Sequence, residues 1–189
     1  MSKAVLFFAD GTEECEALLV ADLLRRARVE VIIASAMGRR ALVSSHGIHL
    51  NADALAEDVD YSDVDMVILP GGIPGTPNLA ENKTVTDTCV SFARAGRKVA
   101  AICAAPTVLA ELGLLEGRRA TCYPGMEPEM CGAVMQNAGV VRDGNFITGR
   151  AAGSAFAFGL ALVEALCGAE TAARIAAQVV WNGEEASHD

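Results

Sequence analysis

The sequence predicts an α/β fold in which a mostly parallel sheet is covered by helices on both faces. Two observations indicate this class: short, continuously apolar runs alternate with segments of helical spacing, and turn or small residues follow most of the apolar runs. Strands buried on both faces read as such uninterrupted runs. As a third observation, Asp143-Gly144 between two β-rich pieces predicts an antiparallel hairpin at the edge of the sheet.

Strands and helices are predicted in alternation along the chain. Apolar runs predict strands over residues 3–9, 29–34, 65–69 and 98–102, and apolar residues at helical spacing predict helices over residues 15–27, 78–95 and 105–115. Residues 36–54 are less regular. Short strands are expected there near 42–43 and 49–50, and their pairing is left open.

The end of the chain completes one predicted domain. The hairpin at residues 140–149 is followed by two helices over 153–167 and 170–179, the first of which is apolar on most sides and expected to be buried. We find no linker, low-complexity tract or internal repeat in the 189 residues. We therefore predict a single domain over residues 1–189, with disorder only in the last few residues, and such a chain can bury roughly 70% of its unfolded surface.

The charge of the chain restricts its partners. The net charge is −9 and the pI is about 4.8, whereas nucleic-acid backbones and anionic membranes are bound by clustered Lys and Arg. We see no signal-peptide pattern and no run approaching ~18 apolar residues. The sequence therefore predicts a cytoplasmic protein that binds neither nucleic acid nor membrane.

Cysteines and histidines are scattered along the chain. The six cysteines are Cys15, Cys89, Cys103, Cys122, Cys131 and Cys167, and the three histidines are His46, His49 and His188. Without a C-x-x-C pair or an export signal, we expect reduced thiols and neither a disulfide framework nor a thiolate zinc site. The histidines lie in the irregular segment and the tail, where solvation is more common than catalysis. No cluster has ligand spacing, so we predict no metal and no cofactor.

The carboxyl ends of the strands are where a site is expected, because ligands bind there in open α/β sheets. Cys103 follows the strand at 98–102 within Ala-Ala-Ile-Cys-Ala-Ala-Pro. Small neighbours at a strand-to-helix turn indicate a nucleophile elbow, and the helix N-terminus is expected to lower the pKa of the thiol. The alternative is an inert structural cysteine, and position alone does not decide.

Two other segments could complete this site. Gly71 and Gly72 either form a plain turn or leave the backbone bare, so that the N–H groups of Gly72 and Ala104 form an oxyanion hole. Several glutamates crowd the start of the first helix, where the helix dipole favours carboxylates. Glu16, further into the helix, could instead be a buried carboxyl of raised pKa that donates a hydrogen bond to the sulfur. Spacing does not choose between these roles.

Three segments resemble one family in order and spacing. They are Ala-Asp-Gly-Thr-Glu-Glu-Cys-Glu at 9–16, Val-Ile-Leu-Pro-Gly-Gly at 67–72 and Ala-Ala-Ile-Cys-Ala-Ala-Pro at 100–106. The chain resembles the ThiJ/PfpI superfamily, in the branch of the Parkinsonism-associated protein and the bacterial YajL-type proteins. The similarity extends through Thr148-Gly149-Arg150 to Ser154 and so covers essentially the whole chain. It implies a flavodoxin-like domain of the class I glutamine amidotransferase-like kind that forms a homodimer.

The resemblance also implies roles for individual residues. Cys103 is implied to be the reactive, oxidisable thiol, Glu16 the protonated carboxyl bonded to it, and Gly72 and Ala104 the oxyanion donors. Family members are described as deglycases or glyoxalases for methylglyoxal adducts, and as oxidation sensors or chaperones whose cysteine becomes a sulfinate. We expect a cofactor-free enzyme acting on a small carbonyl substrate or a glycated protein or nucleotide. A redox sensor or chaperone is the alternative, and a peptidase or amidase is less favoured.

The chain departs from the family pattern at the pocket wall, where Gly71, Tyr123 and Arg150 are expected. Tyr123 stands where several relatives have a histidine, and a tyrosine is a poor base at neutral pH. A Cys-His hydrolase mechanism is therefore not favoured. The family's Gly-Pro-Gly is replaced by Ala-Ala-Gly at 151–153, which could alter the pocket.

Two further cysteines lie beside the expected site in the sequence. Cys15 precedes Glu16, and Cys122 precedes Tyr123. Either thiol could resolve an oxidised Cys103, although a small buried cysteine is more often structural.

Overall fold

The protein is built around one large sheet, described by a computed structural model for residues 1–183. In chain order the strands of this sheet are β1 (Lys3–Phe8), β2 (Glu30–Ser35), β5 (Ala54–Leu55), β6 (Met66–Leu69), β7 (Lys98–Ile102), β10 (Val140–Asp143) and β11 (Phe146–Gly149). Two small strand pairs lie outside it: β3 (Ala41–Val43) with β4 (His49–Asn51), and β8 (Arg119–Ala120) with β9 (Val134–Met135).

The sheet is mixed but mostly parallel. Its spatial order is β10-β11-β7-β6-β1-β2-β5, and β10 alone runs antiparallel, paired with β11 at the edge. The residues that join β10 to β11 are Gly144 and Asn145, and Gly144 has a φ of 59°, which a tight hairpin turn requires. The α/β class, the mostly parallel sheet and the antiparallel hairpin edge predicted from the sequence are therefore confirmed.

Helices cover both faces of the sheet. They are α1 (Glu14–Arg26), α2 (Gly75–Glu81), α3 (Lys83–Arg94), α4 (Pro106–Glu111), α5 (Ala155–Cys167) and α6 (Ala169–Gln178). Side chains of β1 alternate between two cores: Leu6 packs with α1, α5 and α6, while Phe7 packs with α2, α3 and α4. Successive side chains of a strand point to opposite faces, which is why residues 4–8 of β1 are all apolar.

The predicted helix over residues 78–95 is wrong as a single element, because the chain forms α2 and α3 with a break at Asn82. The Asn82 side chain accepts a hydrogen bond from the N–H of Val85 at 3.0 Å and caps α3. Its amide donates to the carbonyl of Ala36 at 2.9 Å, which ties the break to the loop after β2. Asn82 leaves the helical spacing of the apolar residues uninterrupted, and its contact with Ala36 is not visible in the sequence. The sequence therefore predicted one helix where the chain forms two.

Other boundaries differ by a few residues. The helix predicted over 105–115 ends at Glu111, and Gly113 then adopts a φ of 70°. The helix predicted over 153–167 begins at Ala155, after a 3₁₀ turn at Ala152–Ser154. The sequence did not predict β5, β8 or β9, because a two-residue strand has no periodicity to detect.

Within residues 1–183, no helix is both long enough and apolar enough to cross a membrane. The disorder predicted for the last few residues falls outside the described range, and the single domain over 1–189 stays a prediction.

Candidate active site

Neighbouring strands bring the predicted site segments to one edge of the sheet. In the register of β6, β7 and β11, Leu69 pairs with Ala101 and Gly149 pairs with Ile102. The residues that follow these parallel strands therefore leave the sheet side by side. The structure thus brings Cys103 together with the Gly71–Gly72 segment.

Cys103 lies in a strained turn between β7 and α4. Its φ is 64°, in the left-handed region that a residue with a Cβ rarely adopts. The N–H of Cys103 donates to the carbonyl of Gly149 at 3.0 Å, and its own carbonyl accepts from the N–H of Tyr123 at 2.7 Å. Helix α4 then begins at Pro106, which is well suited to a first helical turn. The turn presents a half-buried thiol in the geometry of a nucleophile elbow.

The carboxyl of Glu16 reaches this thiol from α1. The side chain of Glu13 caps α1 by accepting a hydrogen bond from the N–H of Glu16 at 2.7 Å. Glu16 is 1% exposed, and its Oε2 accepts from the N–H of Gly71 at 2.9 Å. Its Oε1 has no partner of good hydrogen-bond geometry within residues 1–183, although the carboxyl adjoins the Cys103 thiol closely enough to affect the pKa of both. A protonated carboxyl, which can donate from one oxygen, fits this environment best.

The two glycines after β6 permit the close approach of these groups. A Cβ on Gly71 would lie 2.6 Å from the Cβ of Cys103 and 2.8 Å from Oε2 of Glu16. A Cβ on Gly72 would lie 2.4 Å from the backbone nitrogen of Glu13, and Gly72 has a φ of 94°. The backbone N–H groups of Gly72 and Ala104 lie close enough to the Cys103 sulfur to lower the pKa of the thiol. Two donors therefore face the position where an oxyanion would form next to the sulfur.

The titration of the pair differs from the sequence-based expectation. Burial raises the pKa of Glu16 to about 7, as expected. Burial also raises the pKa of Cys103 to about 12, with the charge and hydrogen bond of Glu16 adding to the effect and the N–H groups of Ala104 and Gly72 opposing it. The predicted lowering of the Cys103 pKa is therefore wrong where Glu16 is ionised. The helix behind the thiol has only six residues, so its dipole does not outweigh desolvation.

The charge of Glu16 links the two protonation states. The negative charge of Glu16 and its hydrogen bond both raise the pKa of Cys103. The effect of the charge disappears when Glu16 is protonated. Burial, the largest cause, still raises the pKa of Cys103, and the N–H groups of Ala104 and Gly72 then oppose burial alone. The pair therefore titrates as a unit, and a proton on Glu16 favours charge on the sulfur.

Tyr123 borders this site, whereas Arg150 lies in a neighbouring pocket. Tyr123 is bonded to Cys103 through its backbone, and the residue is 48% exposed. Arg150 directs its guanidinium to the side chain of Asn137. It lines a neighbouring pocket of about 330 Å³ together with Cys122.

The two cysteines considered as resolving thiols have environments that disfavour the thiolate. Cys15 is exposed on α1, and the charge of Glu13 raises its pKa. Cys122 is 3% exposed, and burial raises its pKa to about 11. Attack on an oxidised cysteine needs a thiolate, but burial raises the pKa of Cys103 as well, so these shifts do not distinguish the thiols and a resolving role for Cys15 or Cys122 stays a prediction.

A cluster of possible metal ligands lies at the start of α1, and the sequence analysis missed it. Nδ1 of His46 lies 2.8 Å from Oε1 of Glu14 and 4.0 Å from Oε1 of Glu13, and ligand atoms of the three residues lie within 4.8 Å of one another. His46 is 32 positions from Glu14, so no ligand spacing could reveal the cluster. This geometry corrects the expectation that the chain offers no such cluster. Both carboxylates already have partners: Glu13 caps α1, and Glu14 accepts from the hydroxyl of Ser45 at 3.0 Å.

The fold and this geometry define a class of protein: α/β proteins with a cysteine at a nucleophile elbow and a buried carboxyl beside it. The chain belongs to the DJ-1/PfpI family, whose sequence profile matches residues 2–165. The resemblance inferred from the sequence motifs is therefore confirmed.

Relatives match over nearly the full chain. Protein dj-1beta of Drosophila melanogaster is 38% identical over 179 residues, 93% of this chain and 96% of that protein. A deglycase of Pyrococcus abyssi is 31% identical over 158 residues, 82% of this chain and 94% of that protein. Among solved structures, a DJ-1 superfamily protein of Salmonella typhimurium and the oxidized DJ-1 of Toxoplasma gondii both have a TM-score of 0.93, at 34% and 32% identity. Each similarity covers 97% of this chain and 100% of the other.

Proposed function

We propose that this chain is a cysteine-dependent, cofactor-free glyoxalase or protein deglycase that acts on methylglyoxal-type carbonyls or on their adducts. The observation that carries the proposal is the arrangement around Cys103. The N–H groups of Gly72 and Ala104 face its sulfur, and the Glu16 carboxyl beside it has a pKa raised to about 7 by burial. A nucleophile, two oxyanion donors and a proton carrier of suitable pKa are thus combined. The similarity to a protein named a deglycase supports the same activity.

The proposed reaction needs no external oxidant or reductant. The Cys103 sulfur bonds to the aldehyde carbon, the carbonyl electron pair moves to oxygen, and the thiol proton reaches that oxygen to give a hemithioacetal. Glu16 then removes the hydrogen from this carbon and returns a proton to the neighbouring carbon, while the hydroxyl proton of the first carbon passes to the neighbouring carbonyl oxygen. The former aldehyde carbon is oxidised to a thioester while the neighbouring carbonyl is reduced to an alcohol. Water cleaves the thioester, which releases lactate and restores the thiol. When the substrate is an adduct of an amine, the Cys103 sulfur displaces the amine from the former aldehyde carbon, and the amine leaves with the thiol proton.

Conversion of methylglyoxal to lactate without glutathione tests this proposal. We expect Cys103→Ala to abolish turnover and Glu16→Gln to reduce it by about 10²–10⁴-fold, the usual contribution of a general acid–base. Cys131→Ala, which removes an exposed thiol, is the matched control and should keep full activity. Equal lactate formation by wild type and Cys103→Ala would contradict the proposal.

A redox sensor or chaperone is the second candidate. The N–H groups of Gly72 and Ala104 and a protonated Glu16 could hold the oxygens of a sulfinate on Cys103. The similarity to a DJ-1 solved in an oxidized form supports this reading. Peroxide titration that gives one stable sulfinate at Cys103, in a protein without lactate formation, would favour the sensor over the enzyme. A peptidase or amidase ranks last, because Tyr123 supplies no neutral-pH base.

A homodimer in the cytoplasm completes the proposal. Leu18 on α1 and Ile48 between β3 and β4 are 37% and 47% exposed, and we place these apolar side chains in the dimer interface. Light scattering after size-exclusion chromatography should give twice the chain mass. A concentration-independent monomer would contradict the dimer.

A further inference from the structure

A groove beside the proposed site is lined by polar and charged side chains that have no role in the proposed reaction. It lies between α2, α4 and the 3₁₀ turn Glu127–Glu129, and has a volume of about 310 Å³. One wall begins at Ile73, directly after Gly72. The opposite wall includes Thr107, whose hydroxyl donates to the carbonyl of Ala104 at 2.7 Å. The two walls therefore begin one residue after Gly72 and three residues after Ala104 in the chain.

The rim of this groove carries three carboxylates. Glu81, Glu111 and Glu129 are exposed, and each is the last residue of its element, α2, α4 and the 3₁₀ turn. The C-terminal ends of helices favour cations rather than anions. Among the described residues none of the three forms an ion pair, and no basic residue lines the groove. The negative charge of the rim thus has no partner in the part of the chain that the structure describes.

The interior of the groove is apolar and contains one unsatisfied hydroxyl. Ile73, Val108 and Met126 supply apolar surface, and Ile73 is 63% exposed. Thr76 also lines the groove and is 4% exposed, and within residues 1–183 its Oγ1 is buried without a hydrogen-bond partner. Most buried hydroxyls are hydrogen-bonded, so Oγ1 of Thr76 is the polar atom of this wall that a bound side chain could satisfy. An apolar interior with an acidic rim matches the aliphatic stem and charged head of lysine or arginine.

We propose that the groove binds a lysine or arginine side chain of a polypeptide whose neighbouring residue carries the carbonyl adduct. The inference rests on the proposed function and gives its substrate class: adducts on proteins, in basic sequence contexts. The carboxylates come from three separate elements, which suits a cationic chain lying along the open groove. They would repel the phosphates of a nucleotide.

An NMR titration with an acetylated, amidated peptide of alternating lysine and glycine tests the groove. The protein carries Cys103→Ser, so that binding is measured without turnover. We expect shift changes at the amides of Ile73, Thr76 and Thr107, and no such changes with the matching glutamate–glycine peptide. Equal binding of the glutamate peptide would overturn the inference.

Two triple variants separate the groove from the overall charge. Replacing Glu81, Glu111 and Glu129 by Gln should weaken lysine-peptide binding about tenfold at low salt, the sum of three modest surface pairs. Replacing Glu57, Glu116 and Glu170 by Gln removes the same charge from exposed positions outside the groove and should leave binding unchanged. Equal weakening in both, or weakening in neither, would overturn the inference.

Thr76→Val tests the unsatisfied hydroxyl, because it keeps the shape of the side chain. We expect peptide affinity to fall about threefold or more while the melting temperature does not fall, since the free protein loses no hydrogen bond. A lower melting temperature with unchanged affinity would show an internal partner and remove the hydroxyl from the inference. Peptide binding without lactate formation by the wild type would overturn the proposed function and leave the groove in place, whereas the reverse result would overturn the groove alone.

Discussion

At the scale of single residues, the proposed chemistry depends on the coupled protonation of Cys103 and Glu16. Both groups are held away from water, and burial raises the pKa of each. An ionised Glu16 adds to the effect of burial and opposes a thiolate, whereas a protonated Glu16 leaves the N–H groups of Gly72 and Ala104 to oppose burial alone. The reactivity of the thiol therefore depends on the charge of its neighbour as well as on its position at the elbow.

Replacing Glu16 with Gln should make Cys103 easier to alkylate above pH 7. The neutral amide removes the negative charge that raises the pKa of Cys103, so the midpoint of the alkylation rate should fall by about one pH unit or more. Mass spectrometry after iodoacetamide treatment measures it, with Cys89 and Cys167 as internal references. An unchanged or higher midpoint in Glu16→Gln would contradict the coupling.

Replacing Gly71 with Ala should disturb the site directly. The added Cβ would lie 2.6 Å from Cys103 Cβ and 2.8 Å from Glu16 Oε2, and overpacking of this kind costs about 1–3 kcal/mol of unfolding free energy. We expect a lower melting temperature and loss of most lactate formation. Gly153→Ala is the control, because nothing lies within 4 Å of its Cβ position. Equal effects of the two substitutions would argue against the close approach.

At the scale of elements, loops between distant segments position the site. The hairpin of β3 and β4 docks on the turn before α1, where the N–H of Gly11 donates to the carbonyl of Val43 and that of Ser45 donates to the carbonyl of Thr12, both at 2.9 Å. The side chain of Asp10 accepts from the N–H of Val43 at 3.0 Å. These bonds fix the start of α1 and thereby the direction of Glu16.

The break between α2 and α3 can be tested at Asn82. Asn82→Ala removes both the cap of α3 and the bond to Ala36, so we expect a loss of about 1–2 kcal/mol in unfolding free energy. Asn82→Asp keeps the capping oxygen and loses only the amide donor, so it should cost less. Thermal or urea unfolding measures both, and an Asp variant as unstable as the Ala variant would show that the cap is not the important contact.

At the scale of the whole molecule, two apolar cores on opposite faces of the sheet leave few places for a charge. Glu16 is among the few fully buried ionisable side chains of the described part, and the fold tolerates it because it can be neutral. Its environment therefore couples the stability of the whole fold to pH.

Stability should fall as pH rises through neutrality, and Glu16 should account for part of the fall. Its pKa is about 7 when folded against an ordinary value of 4.5. The folded state thus binds the proton more tightly, and this stabilisation is complete below pH 4.5 and lost as pH rises through 7. The loss is roughly 3 kcal/mol at most. Melting temperatures from pH 4.5 to 8 should show Glu16→Gln gaining on the wild type as pH rises. A pH-independent difference between the two proteins would contradict the raised pKa.

The sequence by itself determined the α/β class, the order of the main strands and helices, and the motif that places Cys103 at an elbow. These features depend on residues close together in the chain, where apolar period and turn residues are direct signals. The tertiary structure alone decided that Glu16 faces the thiol, that burial raises the pKa of Cys103, and that His46 meets the start of α1. It also decided that Asn82 divides the long helix. Each of these depends on contacts between distant residues, such as Glu16 with Gly71 across 55 positions, and on the exclusion of water by the packed sheet and helices.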